Sequence, residues 1–160
     1  MTDFINIPSP LGTILAAAEG EALIGIWFEG QKYFPDLAGW RENKASPALK
    51  RCAKQLTEYL AGKRDTFDLP LAPHGTAYQQ RVWREIAAIP FGKTLSYAEL
   101  AKRAGNIDAA RAAGAATGRN PLSIVVPCHR VVGARGALTG YAGGLDRKTR
   151  LLELEGARTA

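Results

Sequence analysis

The 160-residue chain is predicted to be an α+β protein in two parts: a small β-rich α/β part over residues 1–72 and a mainly helical part with a helix-turn-helix over residues 73–160. Three observations carry this reading. Short apolar runs separated by Gly-containing turns fill the first part, the pattern of half-buried strands. A proline cluster, Pro70-Leu71-Ala72-Pro73-His74-Gly75, then interrupts the chain and marks the boundary. Beyond it, capping-box tetrapeptides open successive helices.

Residues 4–7, 13–18 and 22–28 read as strands, the last two joined by Glu19-Gly20-Glu21, a tight-turn signal for an antiparallel hairpin. Residues 29–45 read as an irregular, partly aromatic connection. Ser46-Pro47 supplies an N-cap and a proline at the first helical position, and Leu49, Cys52, Ala53, Leu56, Tyr59 and Leu60 recur at helical spacing until Gly62, so this helix should cover one face of the sheet. Residues 66–69 are expected to form a further strand. In the second part, Thr76-Ala77-Tyr78-Gln79 starts a helix with Val82, Trp83, Ile86 and Ala87 on one side. Ser96-Tyr97-Ala98-Glu99 starts another over 97–104, Gly105-Asn106-Ile107 makes a turn, and Asp108 is expected to cap a third helix over 109–118. Helix, short Gly-containing turn, helix is the helix-turn-helix pattern. The third helix carries Ala109, Ala110, Ala112, Ala113, Gly114, Ala115 and Ala116, with Arg111 alone near its start. So slim a helix suits either tight packing in a core or close approach to a groove. It lacks the long polar side chains that read bases in the major groove, which favours non-specific docking.

Charge separates the two parts. Residues 1–72 hold 8 Lys and Arg against 9 Asp and Glu, whereas residues 73–160 hold 13 against 6, so all of the net +6 lies in the second part. Such a surface suits a polyanion such as a phosphate backbone, although a plain solvated face explains it equally well. No apolar run reaches the roughly 18–20 residues that cross a bilayer. Asp3 and two early prolines stand where a secretory leader would be basic and then apolar, so a cytoplasmic protein with no membrane partner is expected. Two cysteines and two histidines form no disulfide framework and no paired metal-ligand spacing. Cys52, on the apolar side of its helix, reads as a buried hydrophobe.

Cys128 is different. In Ser123-Ile124-Val125-Val126-Pro127-Cys128-His129-Arg130-Val131-Val132 a strand-like apolar run is broken by Pro127 and followed by a thiol, an imidazole and a guanidinium. Burying that triplet between valines is costly unless its members are paired. A thiolate is the nucleophile, so the thiol must lose its proton near neutral pH, and His129 or Arg130 is expected to lower its pKa. The histidine needs an orienting acceptor, for which Glu155 is one candidate among several.

Pro127-Cys128-His129-Arg130-Val131 strongly resembles the active-site motif of the O6-alkylguanine-DNA alkyltransferases, which are direct-reversal repair proteins. The resemblance extends through Tyr78-Gln79, Val82-Trp83, Ile89-Pro90, Ser96-Tyr97, Arg111-Ala112, Asn120-Pro121, Gly140-Tyr141, Gly143-Gly144 and Lys148, over nearly all of residues 75–156. It implies a small N-terminal α/β domain of ribonuclease-H-like type, then a winged helix-turn-helix domain carrying the active site. It implies irreversible, single-turnover transfer of the alkyl group from O6-alkylguanine in DNA to Cys128, with O4-alkylthymine left open as a second substrate, His129 as base through a water, Glu155 as its partner, Tyr97 as the phenol at guanine N3 and Asn120 as a hinge. Arg111 would fill the space left by the extruded base. Tyr78, Ala112, Ala113, Gly114, Arg119 and Arg130 would contact DNA, mainly through the minor groove. Trp83, Val131, Tyr141, Ala142 and Gly143 would form the pocket. Ala142 stands where some relatives carry a serine that bonds the guanine oxygen, and the zinc ligands of the human-type protein have no counterpart. The resemblance implies a monomer without cofactor or metal, with cooperative loading along the duplex left open. A winged-helix regulator and a non-catalytic sensor of alkyl lesions are the alternatives. The first has no use for a Pro-Cys-His-Arg segment, and the second lacks the acceptor cysteine.

Overall fold

Short apolar runs broken by turns over the first 28 residues build the sheet. In a computed structural model, which describes residues 1–156, contacts divide the chain into a unit Met1–His74 and a second unit beginning at Gly75. The first unit holds β1 (Thr2–Ile7), β2 (Ile14–Glu19), β3 (Ala22–Phe28) and the two-residue β4 (Arg41–Glu42), in sheet order β3-β2-β1-β4. β2 pairs with both β1 and β3 in antiparallel fashion, and Gly20 makes the hairpin turn at φ 61°. β1 alternates at its end (Ile5 and Ile7 buried, Asn6 exposed), while β2 and β3 are buried nearly throughout, because both sheet faces are covered there.

One cover is α1 (Pro47–Leu60), capped by the Ser46 hydroxyl, which accepts from the Leu49 N–H. It buries Leu49, Cys52, Gln55, Leu56 and Tyr59. Cys52 is fully buried and its thiol is pushed up to about 12 by that burial, so it behaves as an inert hydrophobe. The other cover is the irregular segment 29–45. Phe34, Leu37 and Trp40 pack with Phe4 on Leu15, Ala17, Ile24 and Trp27, and the rings of Trp27 and Trp40 lie 6.0 Å apart. The Trp27 indole lies over Gly25, where any Cβ would collide with the ring. This segment is not wholly irregular, since β4 within it pairs in parallel with β1.

Residues 66–69 do not form the expected strand. The buried Gln55 side chain takes the place of a neighbouring strand: its Nε2 donates to the Asp68 carbonyl at 3.0 Å and its Oε1 accepts from the Asp68 N–H at 2.9 Å. Sheet-type contact comes later, where Leu71 bridges to Leu23 between two backbone bonds, Leu23 N–H to Pro70 O and Ala72 N–H to Leu23 O. Prolines 70 and 73 cannot donate, so the contact goes no further.

The second unit contains α2 (Ala77–Ala87), β5 (Leu95–Ser96), α3 (Tyr97–Arg103), α4 (Ala110–Gly118), β6 (Val131–Val132) and α5 (Leu145–Leu154). β5 and β6 pair in parallel. Thr76 and Gln79 form the full reciprocal capping box of α2. At α3 only half of the box forms: the Ser96 hydroxyl accepts from the Glu99 N–H, while the Glu99 carboxylate turns to Arg103. Of the four residues expected on the inner side of α2, Val82, Trp83 and Ile86 are buried and Ala87 is exposed, because the helix ends there. Asp108 does not cap α4. Asn106 Oδ1 accepts from the Asp108 N–H and opens a 3-10 turn over Ile107–Ala109, and α4 follows without a side-chain cap. Among the described residues no helix is long and apolar enough to cross a membrane.

Candidate active site

Asn120, immediately beyond α4, organises the loop that presents the cysteine. Its Oδ1 accepts from the Leu122 N–H at 2.9 Å and its Nδ2 donates to the Val126 carbonyl at 2.8 Å, so one buried side chain closes a six-residue loop from within. Inside the loop the Val125 N–H donates to the Ser123 carbonyl across Ile124, whose φ is 73°. Positive φ at a β-branched residue is strained and persists only where its surroundings over-determine it, as burial of the Ile124 side chain and the Asn120 bonds do here. A second tight turn at Pro127, with the Cys128 N–H donating to the Val126 carbonyl at 2.8 Å, leads into a 3-10 turn over Cys128–Arg130. Residues 123–130 are therefore a chain of turns instead of the strand-like run expected, and only Val131–Val132 is strand.

Cys128 is 5 % exposed. Burial pushes its thiol above the usual range, and the neighbouring polar groups of Asn120 and Tyr141 and the charge of Lys148 pull the other way. This corrects two expectations. The groups that favour the thiolate are Lys148, Asn120 and Tyr141, not His129 or Arg130, and burial outweighs them, which favours the protonated thiol.

The proton has a destination. His129 is fully buried, and that burial holds its pKa below the usual histidine value, so the ring is neutral at pH 7. Its Nε2 lies 2.9 Å from Glu155 Oε2. A carboxylate only accepts, so Nε2 carries the hydrogen and Nδ1 keeps the free lone pair. Nδ1 is buried and has no hydrogen-bond partner. A neutral ring with an open acceptor nitrogen, backed by a carboxylate that stabilises the imidazolium once formed, is the arrangement of a general base.

Glu155, the residue that ends α5, holds two partners. Arg130 Nε donates to its Oε1 and Arg130 Nη2 to its Oε2, both at 2.8 Å, and Arg130 Nη1 donates to the Ile89 carbonyl at 2.6 Å. Arg130 is buried with its donors engaged, so it braces the carboxylate from inside; it does not face DNA as expected. Trp83 is likewise placed at the joint of α2 and α4, where its indole N–H donates to the Ala116 carbonyl at 2.8 Å.

Lys148, for which no role was expected, is the site residue that sequence reasoning missed. Its side chain is wholly buried, and Nζ donates to the carbonyls of Val131 at 2.7 Å and Thr139 at 3.1 Å. Desolvation lowers its pKa to about 8, and interaction with Cys128 opposes that fall. A lysine on an amphipathic helix normally reads as solvent-facing; its place at helical spacing with the apolar Leu151 and Leu152, and among the residues that carry the family resemblance, signals otherwise. Because the cation stabilises the thiolate, Lys148→Met is expected to move the pH midpoint of Cys128 alkylation by iodoacetamide upward. An unmoved midpoint would show that the charge does not act on the sulfur.

The two carbonyls held by Lys148 tie the segment 139–143 beside Cys128. The Tyr97 hydroxyl donates to the Gly140 carbonyl at 3.4 Å, and the Tyr141 ring meets His129 edge-on at 6.5 Å. Gly143 is buried and accepts from Arg147, and Ala142 is half-buried. Val131 is fully buried. On α4, Arg111, Ala112 and Ala115 form the exposed face, with Arg119 exposed just beyond, and Gly114 is half-buried beside Tyr97. Ala113 is fully buried, which removes it from the expected DNA contacts, while Ala115 is exposed on the same helix. Among the described residues no group of three or more His, Cys, Asp or Glu side chains comes together as a metal site.

Fold and site define a two-unit α+β protein with a helix-turn-helix and a buried Cys-His-Glu constellation. A family model described as 6-O-methylguanine DNA methyltransferase, DNA binding domain matches residues 77–157, and one described as the ribonuclease-like domain of the same proteins matches residues 5–73. The chain belongs to the 6-O-methylguanine DNA methyltransferase family. It is 46 % identical over 155 residues to the methylated-DNA--protein-cysteine methyltransferase of Mycolicibacterium paratuberculosis, covering 97 % of this chain and 93 % of that one. Identity to the protein of the same name from Methanosarcina acetivorans is 47 % over 150 residues, covering 93 % and 95 %. Among solved structures it is similar to Mycobacterium tuberculosis OGT in complex with DNA, with a TM-score of 0.91 and 44 % identity over 96 % of this chain and 92 % of that one.

Proposed function

We propose that this protein performs direct-reversal DNA repair, moving the alkyl group from O6 of guanine in duplex DNA onto Cys128 in a single irreversible turnover. The observation that carries the reading is the buried chain beside Cys128: His129 with an unpartnered Nδ1, its Nε2 on Glu155, and Glu155 held by Arg130. In the reaction the thiol proton passes to His129 Nδ1, through a water where needed, and Glu155 stabilises the resulting imidazolium. The thiolate attacks the alkyl carbon, the new S–C bond forms as the C–O6 bond breaks, and the electron pair leaves with guanine. Tyr97 donates to guanine N3 and makes the base a better leaving group. The thioether product does not revert, so each molecule acts once and needs no methyl donor.

An alkylated base inside a duplex is out of reach of a buried sulfur and must be extruded, which costs a few kcal/mol. The exposed face of α4, alanines with a single arginine, favours shallow minor-groove docking with Arg111 in the vacated position. Arg119 adds charge along the same face. The protein is read as a monomer acting in the cytoplasm. The regulator and sensor alternatives are disfavoured by the same site, since neither needs a thiol with its own base. Arg111→Ala is expected to slow reaction with duplex substrate at least tenfold more than reaction with free O6-benzylguanine, because the free base needs no extrusion. Equal slowing on both substrates would remove Arg111 from that role.

A further inference from the structure

The basic residues of the first unit are gathered in one place. Residues 44–64, which hold α1 and its flanks, carry six Lys and Arg against one acid, Glu58, whereas the rest of residues 1–72 carries two against eight. The outward face of α1 is therefore positive on a unit that is otherwise acidic. Lys50, Arg51 and Lys54 are all exposed there. Lys54 shares Glu58 with Arg64, while Lys50 and Arg51 enter no ion pair among the described residues.

An apolar pocket opens at the C-terminal end of the same face. Ile7, Ile14, Leu56 and Leu60 line a cavity of about 160 Å³ between α1 and the β1–β2 loop, with Thr57 and Ala61 exposed at its edge. Lys50, Lys54, Thr57 and Ala61 follow one another at helical spacing, so the charged stripe runs into the pocket. The loop that forms the other wall is held from within. The Leu11 N–H donates to Ser9 Oγ at 3.1 Å, the Gly12 N–H donates to the Ser9 carbonyl at 3.1 Å, and Pro8 and Pro10 restrict the backbone on either side. The Ser9 hydroxyl donates to the Gly12 carbonyl and so offers the cavity no free donor. A cavity formed in advance spares a ligand the cost of opening it.

An apolar cavity of about 150 Å³ holds one benzene molecule, so this pocket has the capacity for one ring or one branched side chain. Duplex DNA brings negative charge but keeps its bases stacked inside and has no apolar group to fill such a pocket. An acidic peptide brings both. We propose that this face of α1 docks an acidic segment of another protein, with one bulky apolar side chain in the pocket and carboxylates on Lys50, Arg51 and Lys54. The stripe from Lys50 to Ala61 is about 16 Å of helix. An extended chain crosses that length in about five residues, so the carboxylates fall within about five positions of the apolar side chain. The site uses none of the alkyl-transfer residues, and its occupation tethers the protein without engaging Cys128.

The test is fluorescence anisotropy of a labelled peptide, four aspartates on either side of one phenylalanine, titrated with the full chain. Saturable binding is expected, at least about tenfold tighter than that of the same peptide with alanine in place of phenylalanine. Ala61→Trp, which places a ring at the pocket edge, should erase the difference between the two peptides. Lys50→Glu should weaken binding of the phenylalanine peptide about fivefold. Lys32→Glu, an exposed position in the segment that covers the other face of the sheet, should change it by less than about twofold. An unchanged thermal unfolding midpoint shows that each variant keeps its fold. Absence of saturable binding, equal affinity for the two peptides, or equal effects of Lys50→Glu and Lys32→Glu would overturn the proposal. So would a short duplex that displaces the peptide and itself binds more weakly to Lys50→Glu, which gives the face to nucleic acid. Concentration-dependent dimerisation that Ala61→Trp abolishes would overturn it too, because the occupant is then a second copy of the chain.

Discussion

Glu155→Gln is expected to destabilise the protein by about 3–5 kcal/mol, measured by denaturant unfolding, the range for breaking a buried ion pair by removing one partner. Glutamine keeps the shape of the side chain, so the loss isolates the charge. The guanidinium of Arg130 would stay buried, with the Ile89 carbonyl and a neutral amide as its only acceptors. The same substitution withdraws the carboxylate from His129 Nε2. A second effect should therefore appear in alkyl transfer measured under conditions where the variant remains folded: slower transfer, because imidazolium is no longer stabilised. Unaltered stability would mean that solvent reaches the Arg130–Glu155 pair.

His129→Phe separates catalysis from scaffolding. The ring is buried and is joined to the rest of the site through its bond to Glu155, which Arg130 continues to hold from the other side. The fold should therefore survive, while the rate of alkyl transfer drops by about 10²–10⁴, the usual worth of a positioned general base. The effect should shrink at high pH, where the Cys128 thiol, raised by burial, ionises without help. The sign follows from the raised pKa: below it the thiol must hand over a proton to react, and above it no base is needed. A rate loss independent of pH would assign His129 a purely structural part.

What could be read from residues alone was local. Ser46-Pro47, Glu19-Gly20-Glu21 and Thr76-Ala77-Tyr78-Gln79 each fix backbone geometry within a few residues, and each element forms where its punctuation says. The motif around Cys128 was legible for a related reason, since a thiol, an imidazole and a guanidinium in a row are incompatible with an ordinary buried segment. What escaped depends on partners far along the chain. Gln55 captures Asp68 across 13 residues and converts an apparent strand into a tethered loop. Arg130 reads as a surface cation until Glu155, 25 residues later, is brought to it. Lys148 lies in a helix whose charged residues otherwise face water, and only the carbonyls of Val131 and Thr139 reveal that it points inward. Ala113 and Ala115 differ only in which side of α4 they occupy, a choice made by packing of α4 against α2 and α3. The direction of the Cys128 shift was misread because desolvation outweighs the neighbouring charges, and the extent of burial is not written in sequence.

The most direct measurement is the intact mass of the protein after incubation with duplex DNA containing O6-methylguanine. The account predicts a gain of one methyl group per molecule, mapped to Cys128, reached once and not exceeded with excess substrate, and absent in Cys128→Ser. An unchanged mass, or a methyl group found on Cys52 or any residue other than Cys128, would contradict it.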